Sequence, residues 1–424
     1  MSINIEKLLQ ENTKVSDYKI RTEKTETYEL FFVHEKLETV RSTDTEDKYV
    51  TVYVDHDGKK GNSGFTLYTS TTEDEARAKI EAAAEKANNI GNQYYSLPAN
   101  EVFEGEIKSN FTDYEPRELA KKIADAVYAA DTYGKGSVNS LEIFINKFTV
   151  TVKNSRGIDK KEIKYTAMAE AIPTWTDGDS VELYECKRFN SFDAEDITAE
   201  IEEKMREVRD RGYAKAPEEK LVCPVVLKAP EVASLIADIA FELNYSSVYT
   251  KSNPFSIGDS VQKNATGDKL SVTMKGAVEG SVASALFDEN GTTLIDAKVI
   301  TDGMVTDYFG NHRFAEYLGK KATGNLRCME VEPGTISEKE LVTKPYFECV
   351  SMSGLQVDVY NDYIGGEVRL AYYHDGEKKI PLTGISISGK LSDALSTLRL
   401  SDKVCTTGNY RGPKFALVNG IEIV

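Results

Sequence analysis

Glycine is unevenly distributed along this chain, and that distribution limits its architecture more than any other feature. Of 29 glycines, 19 lie in residues 221–424 and 10 in residues 1–220. Glycine supplies the positive φ that tight turns need, so a glycine-rich half reads as many short strands joined by turns. Charge follows the opposite trend: residues 1–220 carry 32 basic and 44 acidic side chains, and residues 221–424 carry 20 and 25. A length of 424 residues allows two or three cores. Together these features predict an α+β protein. A mixed N-terminal domain of strands and helices covers 1–220, and a strand-rich, mostly antiparallel C-terminal domain covers 221–424. The boundary is expected at the charged stretch Lys215–Lys220, around Pro217.

Local patterns fill in the first half. Tyr28–Val33, Val40–Ser42 and Tyr49–Val54 read as strands, and Asp57-Gly58 closes a hairpin that returns over Gly64–Thr69. Thr71 or Thr72 caps a helix to about Asn89 with Ala76, Ile80, Ala83, Ala84 and Ala87 inward. Pro116 opens a second helix to Ala130, since its missing N–H costs nothing in the first turn. Strands follow at Leu141–Val152 and Glu162–Ala171 around the turn Asn154–Gly157. Asp193 caps a helix over Ala194–Arg211 with Ile197, Ile201, Met205 and Val208 on one stripe. The order hints at a duplicated hairpin-plus-helix unit, though the two copies match too weakly in sequence to be called a repeat.

In the second half, a strand at Leu221–Ala229 runs into a helix at Pro230–Asn244. Strands are then expected at Leu270–Met274, Thr292–Ile300, Val305–Phe309, Gly354–Tyr360, Glu367–His374, Ile380–Ile387 and Phe415–Val418. Helical stretches are expected at Asn311–Leu318 and Leu391–Leu398.

Several function classes lose support at once. A net charge of −17 repels the phosphate backbone, so no nucleic-acid partner is expected. No apolar run approaches the ~20 residues of a membrane span, so no membrane partner is expected either. Met1–Asn12 lacks the apolar core of a signal peptide. The five cysteines, 186, 223, 328, 349 and 405, form no CxxC pair and read as reduced thiols of a cytoplasmic protein.

Four histidines leave few candidates for metal or imidazole chemistry. His34-Glu35 lacks the second histidine of a zinc helix and reads as the polar end of a strand. His56 belongs to a hairpin turn in Asp55–Gly58, where the calcium-loop spacing fails. His374 sits before the turn Asp375-Gly376, at a strand end. His312, at a strand-to-helix junction, is either a general base or a surface capping residue. Nucleophile elbows and phosphate loops are absent. Cys405 reads as a small buried apolar residue, and Glu231 as an acidic residue at the positive end of a core helix.

An ordered series of motifs adds a resemblance. Glu231–Ser234, Ser247–Ser252, Phe287–Gly291, Val299–Gly303, Leu318-Gly319, Thr323–Asn325, Gly365-Gly366, Ile380–Leu382, Ile385–Gly389 and Leu391–Asp393 follow one another along some 200 residues. In this order they resemble the C-terminal half of the TldD/PmbA family, whose members are labelled modulators of DNA gyrase. The first half fits more loosely, through its two hairpin turns. The resemblance implies cytoplasmic proteolysis. TldD-type members are similar to zinc metallopeptidases with an HExxxH helix and a late cysteine ligand. PmbA-type members, also called TldE, are similar to the partner without the histidines. Here Pro230 and Leu235 stand at the histidine positions, leaving Glu231 alone, with Cys405 near the late cysteine.

The resemblance therefore implies a PmbA/TldE-like subunit of a metallopeptidase system acting on unfolded peptides. It implies no cofactor in this chain and zinc only in a TldD-like partner. The assembly is either a heterodimer with that paralogue or a homodimer. Glu231 is the candidate catalytic residue; Asn325, Arg327 and Cys405 are candidate peptide contacts, with Asn325 and Arg327 equally readable as surface turn residues. Two alternatives remain open: a non-catalytic peptide-binding or regulatory protein, and a homodimeric hydrolase whose mechanism the residues do not identify.

Overall fold

The computed structural model describes residues 3–424. Residues up to 213 build one nine-stranded sheet and its helices. In chain order these are α1 (Ile5–Glu11), β1 (Asp17–Val33), β2 (Lys36–His56), β3 (Lys59–Leu67), α2 (Glu73–Asn88), β4 (Asn92–Gln93), β5 (Glu101–Glu106) and α3 (Pro116–Ala129). They continue with β6 (Gly136–Asn154), β7 (Ile158–Trp175), β8 (Val181–Glu182), β9 (Glu185–Phe189) and α4 (Ala194–Tyr213). The sheet runs β4-β3-β2-β1-β6-β7-β5, with β8 and β9 also pairing β7. Its centre is two long hairpins, β1–β2 and β6–β7, joined by antiparallel pairing of β1 with β6.

Alternation in the strands creates two cores beneath this sheet. Ile20, Val50, Val52, Val54 and Leu67 meet the inward face of α2, at Ala76, Ile80, Ala83, Ala84 and Ala87, and the apolar side of α1. Helix α2 starts where the side chains of Thr72 and Glu75 cap each other's backbone. Its last turn lies so close to β3 that a Cβ on Gly61 would fall 1.8 Å from the carbonyl oxygen of Ala87. The second core joins Leu119, Ile123 and Val127 of α3 and Ile197, Ile201 and Met205 of α4 to Ile143, Ala167 and Ala169 of the other hairpin.

Residues from 225 onward build two further sheets around one helix. Strand β10 (Val225–Lys228) runs directly into α5 (Ala229–Ala240). A nine-stranded sheet orders Arg399–Leu400, Phe415–Val418, β10, Tyr346–Met352, Tyr363–Asp375, Ile385–Gly389 and Ile421–Ile423. Gln356–Asp358 and Lys378–Leu382 also pair its long strand. A six-stranded sheet orders Met304–Val305, Ala297–Thr301, Val272–Lys275, Cys328–Val331, Tyr410–Pro413 and Val404–Thr407. Val232, Leu235, Ile236 and Ile239 of α5 are fully buried in a cluster that draws on strands of both sheets. Most pairings are antiparallel, and the fold is α+β.

The structure departs from the expected elements in places with physical causes. Strands β1 and β2 extend through Asp17–Thr27 and Lys36–Asp47, where Thr, Lys and Glu give no apolar alternation. The expected strand Ile380–Ile387 is two strands, broken at Thr383-Gly384, where Gly384 takes φ +69°. The helix expected to Asn244 ends at Ala240 in a 3-10 turn over Phe241–Leu243. The strands Cys328–Val331, Tyr346–Met352 and Tyr410–Pro413 were not among the expected ones.

Candidate functional site

Helix α5 follows β10 without a loop, and Pro230 fits its first turn because no backbone donor is lost there. That start places Glu231 at the positive end of the helix, with its Oε2 buried and without a hydrogen-bond partner among the described residues. Burial raises its pKa to about 7; its own backbone N–H, Lys228 and Lys204 oppose the rise, and Glu207 adds to it. A carboxyl that titrates near neutrality can accept or donate a proton, provided a reacting group reaches it.

Around Glu231 lies an ion network that joins α4 to the second sheet. Lys228 Nζ is 2.6 Å from Glu203 Oε1 and 3.1 Å from Glu207 Oε1, while Lys204 Nζ is 2.9 Å from Glu207 Oε2. Glu207 is 2% exposed, so its two lysines are what make its burial tolerable. Tyr372 donates to Asp210 at 2.7 Å, and His374 Nε2 lies 2.9 Å from Glu348 Oε2. A cleft of about 410 Å³ opens over this network, lined by Glu203, Glu207, Asp210, Lys228, Glu348 and Tyr372 among others.

The residues flanking Glu231 decide its metal chemistry. Pro230 is exposed and has no free donor atom; Leu235 is fully buried in the core. Cys405 lies half-buried on the Val404–Thr407 strand, which packs against α5. Burial raises the pKa of this thiol, with Lys414 opposing, so it stays protonated at neutral pH, whereas metals bind the thiolate. Among the described residues, no three His, Cys, Asp or Glu side chains stand where one metal ion would join them. The donor set at α5 therefore does not fit a tetrahedral zinc ion.

Asn325 and Arg327 lie elsewhere, in a cavity of about 300 Å³ between the first sheet and the Phe287–Gly291 loop. Asn325 donates through Nδ2 to Glu289 Oε1 at 2.5 Å and through its backbone to Asp288 Oδ2 at 3.2 Å. Arg327 reaches Glu289 Oε2 at 3.7 Å and is otherwise exposed. Asp288 also accepts from the backbones of Asn290 and Thr292, so it organises its own turn. The structure thus separates Asn325 and Arg327 from the pair Glu231 and Cys405.

The histidines are scattered. His34 takes φ +51° in the turn between β1 and β2, and His56 lies 3.1 Å from the Ile90 carbonyl at the end of β2. His374 stacks on Tyr346 with ring centroids 4.1 Å apart. His312 opens the helix His312–Leu318, with Nε2 3.4 Å from Ser96 Oγ and 3.7 Å from Glu316 Oε2. Serine and carboxylate share the same imidazole nitrogen there, so the carboxylate is not placed to orient the ring from its far side as a catalytic triad requires. The Glu207 network was missed in sequence, although Lys228, a lone charge ending an apolar strand, was its available signal.

Residues 220–424 match the family described as the PmbA/TldA metallopeptidase C-terminal domain. No curated protein matches the chain. Among solved structures, TldE from Thermococcus kodakarensis superposes with a TM-score of 0.78 at 14% identity, over 99% of this chain and 98% of that one. A "putative modulator of a DNA gyrase" from Thermotoga maritima gives 0.75 at 16% identity, over 96% of each chain. A protein of the same description from Bacteroides thetaiotaomicron gives 0.77 at 12% identity, over 99% of this chain and 97% of that one. At these identities the likeness is one of fold.

Proposed function

Since residues 220–424 match the PmbA/TldA metallopeptidase C-terminal domain, we propose that the chain is the metal-free subunit of a two-component TldD/PmbA-type peptidase acting on unfolded peptides. The observation that carries this reading is helix α5, where Pro230 and a fully buried Leu235 occupy the positions of zinc-binding histidines. Leu235 cannot be exchanged for a ligand without opening the core around it, because its side chain packs between both sheets. Likeness of fold to TldE supports the same assignment. In this reading zinc and the activated water come from a histidine-bearing partner in the cytoplasm, and this chain helps to enclose the peptide.

A feature of the first sheet supports the handling of extended chains. Strand β2 pairs β1 along its length but pairs β3 only over Lys48–His56, so Lys36–Asp47 presents an open edge. Unpaired backbone groups on such an edge bind a peptide as an added strand without reading its sequence.

The test is metal content and peptidase activity of the chain alone and mixed with a histidine-bearing homologue from the same cell. The expected result is no stoichiometric zinc and no cleavage alone, with chelator-sensitive cleavage on mixing. Chelator-insensitive cleavage by the lone chain would overturn the proposal in favour of a self-sufficient hydrolase. Peptide binding with no turnover in any mixture would leave a binding protein instead.

A further inference from the structure

A third cavity, of about 220 Å³, lies where the first sheet meets the second half of the chain, apart from both Glu231 and Asn325. Its walls include Lys19 and Tyr53 of β1 and β2, Tyr95 from the loop after β4, and Asn290, His312 and Arg313 from beyond residue 225. Two features distinguish it in so acidic a protein. Lys19 and Arg313 both face it, and among the described residues neither has a carboxylate within ion-pair distance. Lys19 Nζ instead donates to Asn290 Oδ1 at 2.7 Å. Arg313 donates to Asn92 Oδ1 at 2.9 Å and to the Tyr317 hydroxyl at 3.2 Å, with its guanidinium 5.1 Å from the Tyr95 ring centroid. The second feature is a pair of hydroxyls. Tyr53 and Tyr95 are 4% and 6% exposed, yet their hydroxyls make no hydrogen bond among the described residues. Neither oxygen is fully buried, so each is open to solvent in the cavity and free to donate to an occupant.

We propose that this cavity binds an organic carboxylate, such as the free C-terminus of a short peptide, held between Arg313 and Lys19 with the Tyr53 and Tyr95 hydroxyls as further donors. Arginine's planar fork suits a carboxylate, and aromatic packing on Tyr95, Phe314 and Tyr317 holds that fork in place. Burial lowers the pKa of Lys19, while Glu289 and Asp288 raise it from beyond ion-pair distance. A bound anion would favour the charged lysine directly. Glu316 is engaged by the backbone and hydroxyl of Ser96, a wall residue, at 2.9 and 2.7 Å. Because the walls come from both halves, an occupant would tie them together.

The inference rests on the proposed function only in naming a peptide as the source of the carboxylate. Binding to the isolated chain reads it without a peptidase assay. Calorimetric titration of the full chain with Ala-Ala, with its C-terminal amide and with acetate tests it. Ala-Ala is expected to bind at least about tenfold more tightly than the amide, the difference one charge-assisted contact makes. Acetate binding as tightly as Ala-Ala would assign a general small-carboxylate site, and stronger binding of Ala-Ala would assign a peptide end. Arg313→Gln and Lys19→Gln should each weaken Ala-Ala by about tenfold or more. Should either variant unfold, Tyr95→Phe, which keeps the ring and removes the hydroxyl, should weaken it several-fold. Equal binding of dipeptide and amide, no binding of any carboxylate, or wild-type binding by a folded Arg313→Gln chain would overturn the proposal.

Discussion

Two buried carboxylates, Asp17 in the first sheet and Glu231 at the start of α5, show how partners rather than burial determine what such a group does. Asp17 is 2% exposed and every side of it is answered: Lys60 Nζ at 2.8 Å, Arg156 Nε at 2.5 Å and Nη2 at 2.8 Å, and Ser155 Oγ at 2.7 Å. Burial alone would raise its pKa, but Arg156, Lys60 and Ser155 outweigh it and hold the group below the ordinary carboxylate range. Glu231 has one oxygen with no partner, and the same burial wins there. Asp17 is therefore a joint between β1, β3 and the β6–β7 turn. Glu231 keeps a proton available near neutral pH, in a helix whose other expected functional positions are apolar.

The comparison can be broken most directly at Asp17. Asp17→Ala leaves fully buried Lys60 with only Asp55, and is expected to cost about 3–5 kcal/mol in urea unfolding. A loss below about 1 kcal/mol would mean the network is not the joint described. At Glu231 the sign is reversed. Its folded pKa, about 7, lies above the 4.5 of the free group, so the folded state holds the proton more tightly. Stability from this group is present below the free value and is lost as pH rises toward and through 7. Glu231→Gln should thus stabilise the chain by about 3 kcal/mol at pH 8 and by little at pH 4, read as the difference between two urea curves. A gain independent of pH would show that Glu231 is not the titrating group. The smallest effect sharpens the contrast: Ser155→Ala removes one of Asp17's bonds and one acceptor for Tyr18 N–H, costing about 1 kcal/mol. Asp17 should then stabilise the fold less as pH falls, because its carboxylate would protonate at a higher pH.

Much of the fold was legible where burial is one-sided. Helix α2, with its Thr72 cap and alanine face, and the hairpin at Asp57-Gly58 match their sequence signals closely. Of residues Lys36–Asp47 only Val40–Ser42 were legible as strand, because both faces are exposed and no apolar alternation survives to mark the rest. What holds them is hydrogen bonding to β1, and cross-strand partners such as Lys24 with Asp44 are set by register. The candidate sites divide in the same way. Pro230, Glu231 and Leu235 were legible as a departure from a pattern. The ion network around Glu231 was not, since Glu203, Lys228 and Glu348 come from three elements far apart in sequence.

Sequence alone settles the charge, the uneven glycines, the helices with complete caps and the absence of histidine from α5, since each is a property of composition or of neighbours within one helical turn. Tertiary structure decides which charges are answered. Lys60 and Asp17 meet across strands to form a closed joint, whereas Glu231 is carried into a core with one oxygen unmet. Lys19 and Arg313 are brought to a single cavity from nearly 300 residues apart. Charge–charge energies depend on distance and dielectric, and both are fixed only when remote segments pack.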